Sequence, residues 1–456
     1  MRSLAVLVSL VLFWATGPVA QSADFGRMFP DLPAFQPADT LLVALAAAMR
    51  DPNAPADDNP AGLLSGFTYL GQFLDHDLTL DTTPLAQASP NLEGLHNGRT
   101  PKLDLDSLYG GGQVGSPQLY VGAKFAFASP NGFPDLQRTP DGRAILVEGR
   151  NDENLVIAQL HIAFQQFHNA AIDQGLGFAD AQRTVQWHWQ WLIVHEFLPH
   201  IVGQDVVDAL LGTNGAGKPQ LRSIFFDPDS KKAPSMPIEF AVAAYRFGHS
   251  MVRLAYVLPT GSTTKTQVFN LAGNDLHGSR PIPPNLKIDF ANFFALPGPP
   301  PPGRNISRKM DALLSAGLFN LPIGPVVPPD PPAVTSLAER NLLRGKRVGL
   351  PSYQAVAAAM GLTPLTNAQL DPAQTFGLAD PGWQGEAPLW FGILQESALL
   401  ENGVRLGPTG GQIVAEVILG LLEADKDSYF HAAQPWTPAG GSFGIADLLR
   451  TAGAVP

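Results

Sequence analysis

Gly71-Gln72-Phe73-Leu74-Asp75-His76-Asp77 is the stretch on which the reading of this chain turns. It lies within Leu64 to Leu80, where apolar residues recur at spacings of three and four, the pattern of a helix buried along one face. On such a helix Gln72, Asp75 and His76 share a side, because offsets of three and four superpose and offsets of one and two do not. A polar cluster on an otherwise apolar helix needs a reason. Either the histidine is buried with its hydrogen bonds satisfied, or the cluster serves a site.

Working outward, Asp39 to Met49, Asn154 to Gln174, Ala181 to His200, Ile238 to Ala255, Thr335 to Leu343 and Gln412 to Leu422 show the same periodicity and are predicted as helices. Asp39 or Thr40 is the expected cap of the first. Leu119 to Phe127 and Arg253 to Pro259 alternate and read as hairpin pieces. Two Pro-rich stretches, Pro297 to Gly303 and Pro325 to Pro332, cannot continue a helix. They flank an expected short helical unit, Ser307 to Leu321, and read as linkers or as a detour between packed helices. The expectation is a mainly α chain with long ordered loops and little β.

The chain has 456 residues, enough for two or three small domains or one large enzyme domain. With 45% apolar and 15% charged residues, disorder is the wrong class. A net charge of −11 and the lack of a basic cluster beside an amphipathic helix disfavour nucleic acid and anionic membrane surfaces. There is no cysteine, which removes disulfides, thiol catalysis, cysteine zinc sites, iron-sulfur clusters and thiolate-ligated haem. Arg2, an apolar run from Leu4 to Trp14, Gly17-Pro18 and the small residues up to Ala23 read as a signal peptide over residues 1–23. The run is short of the roughly 20 residues a spanning helix needs, so stable membrane insertion is not expected. The mature chain would be residues 24–456, secreted or periplasmic; the alternative is an uncleaved N-terminal anchor.

Further polar segments carry chemistry. In Gly149-Arg150-Asn151-Asp152-Glu153, Arg150 and Glu153 stand three apart just before a helix. In Tyr245-Arg246-Phe247-Gly248-His249, Tyr245 and Arg246 fall on the His249 side, and Gly248 leaves room for a flat object to approach. Thr100-Pro101-Lys102-Leu103-Asp104-Leu105-Asp106 offers oxygens on alternate residues, as a loop around a hard cation such as calcium does, although it lacks the glycine and terminal glutamate of the helix-loop-helix motif. His195-Glu196-Phe197-Leu198-Pro199-His200 is not a zinc-protease helix, since Pro199 occupies the place of the second histidine. Trp187, Trp189 and Trp191 alternate and read as core or packing surface.

Taken in order, these segments resemble the animal-type haem peroxidases of the peroxidase-cyclooxygenase superfamily, particularly bacterial members. The resemblance runs through GQFLDHD from Gly71, RTPKLDLDSLYG from Arg99, GRNDEN from Gly149, LHIAFQQFHN from Leu160, EFAVAAYRFGHS from Glu239 and RNLLRGKRVGLPSY from Arg340. PLWFGILQES from Pro388 and RLGPTGGQIVAEVILGLL from Arg405 extend it to about four-fifths of the chain. It implies one large haem-peroxidase-like helical domain holding haem b and calcium. It also implies that hydrogen peroxide oxidises a small phenolic or halide donor through a ferryl intermediate. By that resemblance His76 is the distal base, Gln72 its neighbour, Arg150 the distal arginine and His249 the iron ligand, with Asn341 accepting its other ring proton. Asp75 and Glu153 match residues that esterify haem methyls, and Arg246 and Arg344 match arginines near the propionates. Asp77, Thr100, Lys102 through its carbonyl, Asp104 and Asp106 match the calcium shell.

The physics agrees with these implied roles. A histidine opposite an imidazole-held iron can carry a proton from the near to the far oxygen of peroxide, and an arginine can stabilise the charge that develops. Two departures stand out. Asn154 replaces the methionine of a sulfonium link, so at most two esters are expected. Arg344-Gly345-Lys346-Arg347-Val348-Gly349 lacks the family's usual acid and histidine, which puts the propionate contacts in question. The alternatives are a fatty-acid dioxygenase of the same superfamily, disfavoured because its tyrosine position holds Arg246 while Tyr245 stands one residue early, and a non-catalytic secreted haem-binding protein.

Overall fold

The computed structural model describes residues 23–51, 57–92, 94–226, 235–259, 261–269, 275–322 and 334–455. The leader up to Ser22 and the stretch Pro325 to Pro332 lie outside them. Seven helices suffice to place the site: α1 (Asp39–Ala48), α2 (Gly66–Leu78), α3 (Leu155–Asp173), α4 (Phe178–Leu192), α5 (Leu337–Arg347), α6 (Leu389–Leu400) and α7 (Pro408–Ala424). Helix α2 packs on α3 and α3 on α4; α1 and α6 both pack on α5, and α6 meets α7. One hydrophobic core runs from Phe25 to Ala452 without a break at the first Pro-rich stretch, so the described residues form a single mainly α domain.

Local chemistry explains the key boundaries. Asn154 begins α3 from an extended conformation, its side chain accepting from Val156 N and Ile157 N at 3.1 and 2.9 Å. Helix α2 enters through Gly66, where a Cβ would sit 2.3 Å from the Phe293 carbonyl oxygen, so only glycine fits. Helix α1 starts after Ala38 with no side-chain cap. Asp39 instead pairs with Lys346 and Arg347 of α5.

Strands are short. Ala23–Gly26 pairs antiparallel with His96–Asn97 and parallel with Met236–Pro237. The expected hairpin pieces are present: Tyr120–Val121 with Lys124–Phe125, and Ala255–Val257 with Lys265–Gln267.

Two helical expectations need correction. The segment expected to be helical from Ile238 is a π-turn (Glu239–Ala243), a 3₁₀ turn (Ala244–Phe247) and one α-turn (Gly248–Met251), with Val252 already extended. Ser307 to Leu321 is largely irregular, with a 3₁₀ turn only at Ala316–Phe319. Its backbone bonds go to other segments, Ser307 N to Leu63 O and Leu314 N to Met49 O, and Arg308 is buried against Asp51. Tertiary pairing outweighs the apolar spacing there.

Candidate active site

Helix α2, the 3₁₀ turn Gly149–Asp152 before α3, and the broken segment Glu239–Met251 converge on one interior cavity. It holds about 1130 Å³ of empty space, part of it open to solvent. Its walls carry Gln72, Asp75, His76, Arg150, Glu153, Arg246 and His249 together. Residues up to 177 positions apart in the chain are thus brought to one place. Gly248 faces open space, since a Cβ built on it meets no atom within 4 Å, as the sequence reading required.

His76 is buried, and its Nδ1 lies 2.8 Å from Asn151 Oδ1. An amide oxygen only accepts, so Nδ1 carries the proton and Nε2 keeps its lone pair. Asn151 in turn donates from Nδ2 to His161 Nδ1 at 3.0 Å. Burial, with Arg150 adding to it, lowers His76 to about 4, and burial lowers His161 to about 3. Both rings are therefore neutral at neutral pH. The proton on His161 then sits on Nε2, a buried atom with no partner among the described residues.

The charged residues are interlocked. Arg150 bonds Glu148 through Nε at 2.9 Å and the Thr79 carbonyl through Nη2 at 2.6 Å. Its Nη1 lies 4.0 Å from Asp75 Oδ2, and Arg246 Nη1 lies 3.4 Å from the same oxygen. Burial alone would raise Asp75, but Arg246 and Arg150 hold its carboxyl below the usual range. Burial pushes Glu153 up to about 7 despite Arg150, and Glu153 accepts from the Gln72 amide. Two carboxyls of one cavity are thus shifted in opposite directions from their ordinary values.

His249 is lowered to about 3 by burial and by Arg246, so it is neutral and suited to a metal. The Asn341 amide nitrogen lies 2.7 Å from its Nδ1. As placed, the amide nitrogen donates to Nδ1; a half-turn of the amide would present its oxygen, in which case Nδ1–H would donate and Nε2 would be available to a metal. Arg344 is not among the cavity-lining residues: it pairs with Asp81 and donates to Thr83 O at 2.8 Å. The divergent cations of this segment are therefore committed to Asp81 and Asp39.

The oxygen-rich loop folds into a cluster. One oxygen each of Asp77, Asp104 and Asp106 lies within 4.8 Å of the others, the one such group among the described residues. Leu105 adopts the left-handed region at φ 56°, a strain of roughly 1–3 kcal/mol for a residue with a side chain. Asp106 Oδ1 is buried with no partner. Burial and repulsion from Asp106 push Asp104 up to about 7; burial, with Glu148 adding to it and Arg99 opposing, raises Asp106 to about 6. Strain, an orphaned carboxylate oxygen and crowded acids fit a divalent cation. Thr100 Oγ1 bonds Asp104 at 2.9 Å, and the Lys102 ammonium pairs with Asp425 at 2.7 Å.

Sequence reasoning passed over Asn151, His161, Glu148 and one cavity tyrosine, Tyr69. Asn151 stands inside a quoted motif, but its role depends on a histidine ten residues on and another on α2. Tyr245, expected on the His249 side, is brought there by a backbone that is not the regular helix expected. On the irregular backbone it lines the cavity and donates to the Gly71 carbonyl at 3.2 Å.

Fold and site together define a helical protein with two neutral histidines facing one cavity large enough for a flat cofactor. A family model, animal haem peroxidase, matches residues 95–435. The chain belongs to the animal haem peroxidase family, a family of haem-dependent oxidoreductases. It is 25% identical over 296 residues to the chorion peroxidase of Drosophila melanogaster, covering 62% of this chain and 34% of that one. It is 24% identical over 345 residues to the thyroid peroxidase of Rattus norvegicus, covering 67% and 33%. The chain thus spans about a third of the length of these curated relatives. Peroxidase A from Dictyostelium discoideum superimposes with a TM-score of 0.61 at 17% identity, covering 95% of this chain and 93% of that one. A fatty acid alpha-dioxygenase from Arabidopsis thaliana gives 0.65 at 17%, covering 94% and 77%. At these identities the two structures attest the fold alone.

Proposed function

We propose that this chain is a secreted haem peroxidase that uses hydrogen peroxide to oxidise small phenolic or halide donors. The observation that carries the reading is the pair of neutral histidines on one cavity, His76 with its tautomer fixed by Asn151 and His249 backed by Asn341. Haem b, when bound, supplies an iron that accepts peroxide and stores its oxidising equivalents. His249 would hold the iron through Nε2, with Asn341 fixing its ring. His76 Nε2 takes the proton from one peroxide oxygen and gives it to the other, which leaves as water. Arg150, anchored by Glu148, stabilises the negative charge of O–O cleavage, and Gln72 orients the bound water or halide. Asp75 and Glu153 would be the ester-forming carboxyls, and Arg246 would serve a propionate. Arg344 serves the other only if it leaves Asp81. Calcium at Asp77, Thr100, the Lys102 carbonyl, Asp104 and Asp106 holds α2 in register next to His76. Residues 1–23 are the cleaved leader and 24–456 the catalytic domain, exported to the periplasm or beyond.

One observation favours a second reading. Tyr245 lines the cavity, as a radical tyrosine of a fatty-acid dioxygenase must, yet its hydroxyl is tied to Gly71 O. Guaiacol oxidation against oxygen uptake with linoleate separates the two. Donor oxidation without oxygen uptake fits the peroxidase; oxygen uptake alone fits the dioxygenase; neither fits a haem-binding protein without catalysis.

A further inference from the structure

Away from the cavity, three of the seven tryptophans gather: Trp187 and Trp191 of α4, and Trp436. Trp436 sits 5.4 Å from Trp187 and 6.0 Å from Trp191, ring centre to ring centre. Tyr429 stands 5.8 Å from Trp436 and 5.7 Å from Trp191. His195 stacks on Trp191 at 3.8 Å, and its Nε2 is 3.3 Å from the Tyr429 hydroxyl. His195 belongs to the π-turn Ile193–Phe197, a conformation concentrated at functional sites. The rings also lead inward. Trp189, on the opposite face of α4, meets Phe73 edge-on at 5.6 Å, and Phe73 follows Gln72 on the cavity-lining helix α2. Outward, Trp187 borders a surface groove of about 1300 Å³ open to solvent, beside Arg183 and His431.

We propose that Trp187, Trp191, Tyr429 and Trp436 form a second, surface oxidation site for phenolic donors too bulky for the interior cavity, fed with oxidising equivalents along Trp189 and Phe73. This rests on the peroxidase reading. Tryptophan and tyrosine are the most readily oxidised aromatic side chains, and here three tryptophans and a tyrosine, each within 6.0 Å of another, lie at the edge of a solvent-open groove. Tyr429 is buried, so it loses an electron only if its proton leaves with it. His195 Nε2, 3.3 Å from that hydroxyl, is the acceptor. A donor in the groove gives one electron to the hole at Trp187 and its phenolic proton to water. The electron passes inward and the Tyr429 proton returns from His195. Two donors consume one peroxide: H2O2 + 2 ArOH gives 2 H2O + 2 ArO•, with no bond formed or broken in the chain.

The test compares haem-loaded wild type, Trp187→Phe and Tyr429→Phe with guaiacol and with a phenol coupled to dextran, which cannot enter the cavity. Oxidation of the dextran-linked phenol is expected to fall about tenfold in each variant while guaiacol oxidation stays within about twofold. A second readout does not depend on turnover. After one equivalent of peroxide and a nitroso spin trap, peptide mapping should find the adduct on Trp187, Trp191, Tyr429 or Trp436 in the wild type. Wild type that oxidises guaiacol but not the dextran-linked phenol, variants that match it on both donors, or an adduct confined to other residues overturns the proposal. Failure to oxidise guaiacol at all overturns the peroxidase reading itself and this site with it.

Discussion

Asn151→Ala tests the hydrogen-bond chain that sets up His76. The substitution removes the acceptor of His76 Nδ1–H at 2.8 Å and the donor to His161 Nδ1 at 3.0 Å, both fully buried. Two net bonds of about 1 kcal/mol each, with His161 left unpaired at both nitrogens, give a loss of stability of about 2–4 kcal/mol. Catalytically, His76 loses the interaction that keeps its proton on Nδ1 and its Nε2 free. A preference worth about 1.4 kcal/mol corresponds to a tenfold slower reaction with peroxide. Asn151→Asp keeps an acceptor for His76 but adds a negative charge beside it, so the acid limb of the pH profile should move upward from about 4. Stability is read from the denaturation midpoint and the rate from stopped-flow Soret changes with peroxide. Haem-loaded Asn151→Ala with wild-type midpoint and wild-type rate would refute the role given to this chain.

Four other outcomes are expected. His249→Ala should lose haem, whereas His76→Ala should keep it and react with peroxide roughly 10² to 10⁴ times more slowly, as measured by haem content and stopped flow. Asp75 and Glu153 should hold haem covalently after peroxide turnover; complete extraction by acidic organic solvent counts against this. In calcium-free protein Asp104 and Asp106 titrate near 7 and 6, above the ordinary value of 3.8. The folded state then holds protons that the unfolded chain has released, and stability falls as pH rises from about 4 to 7. EGTA should therefore lower the melting temperature more at pH 8 than at pH 5, and an equal effect at both would remove calcium from the cluster. Asp77→Asn should reproduce the EGTA effect at pH 8 without further loss on chelation.

Much of the site was legible because its residues sit in short motifs on regular elements. Helix α2 placed Gln72, Asp75 and His76 on one face as its period demanded, and all three line the cavity. The alternate oxygens around Asp104 and Asp106 do meet Asp77, although the left-handed turn at Leu105 that brings them together carries no glycine to announce it. What could not be read was long-range partnership. Arg344 has a family match, but its choice of Asp81 depends on a loop 263 residues away. Tyr245 stands one residue early for a radical tyrosine on a regular helix, a register that a π-turn and a 3₁₀ turn do not keep. Ser307 to Leu321 has helical spacing yet bonds to other segments, because a pattern records which side chains are apolar and not which backbone waits beside them.

The most direct measurement is an absorption spectrum of haem-loaded protein before and after one equivalent of hydrogen peroxide, followed by a phenolic donor. A Soret band that shifts with peroxide and returns when the donor is added is the result predicted by His249 as iron ligand and His76 as the proton carrier. A Soret band indifferent to peroxide would contradict the catalytic role of His76, and no band at all would contradict haem in the cavity.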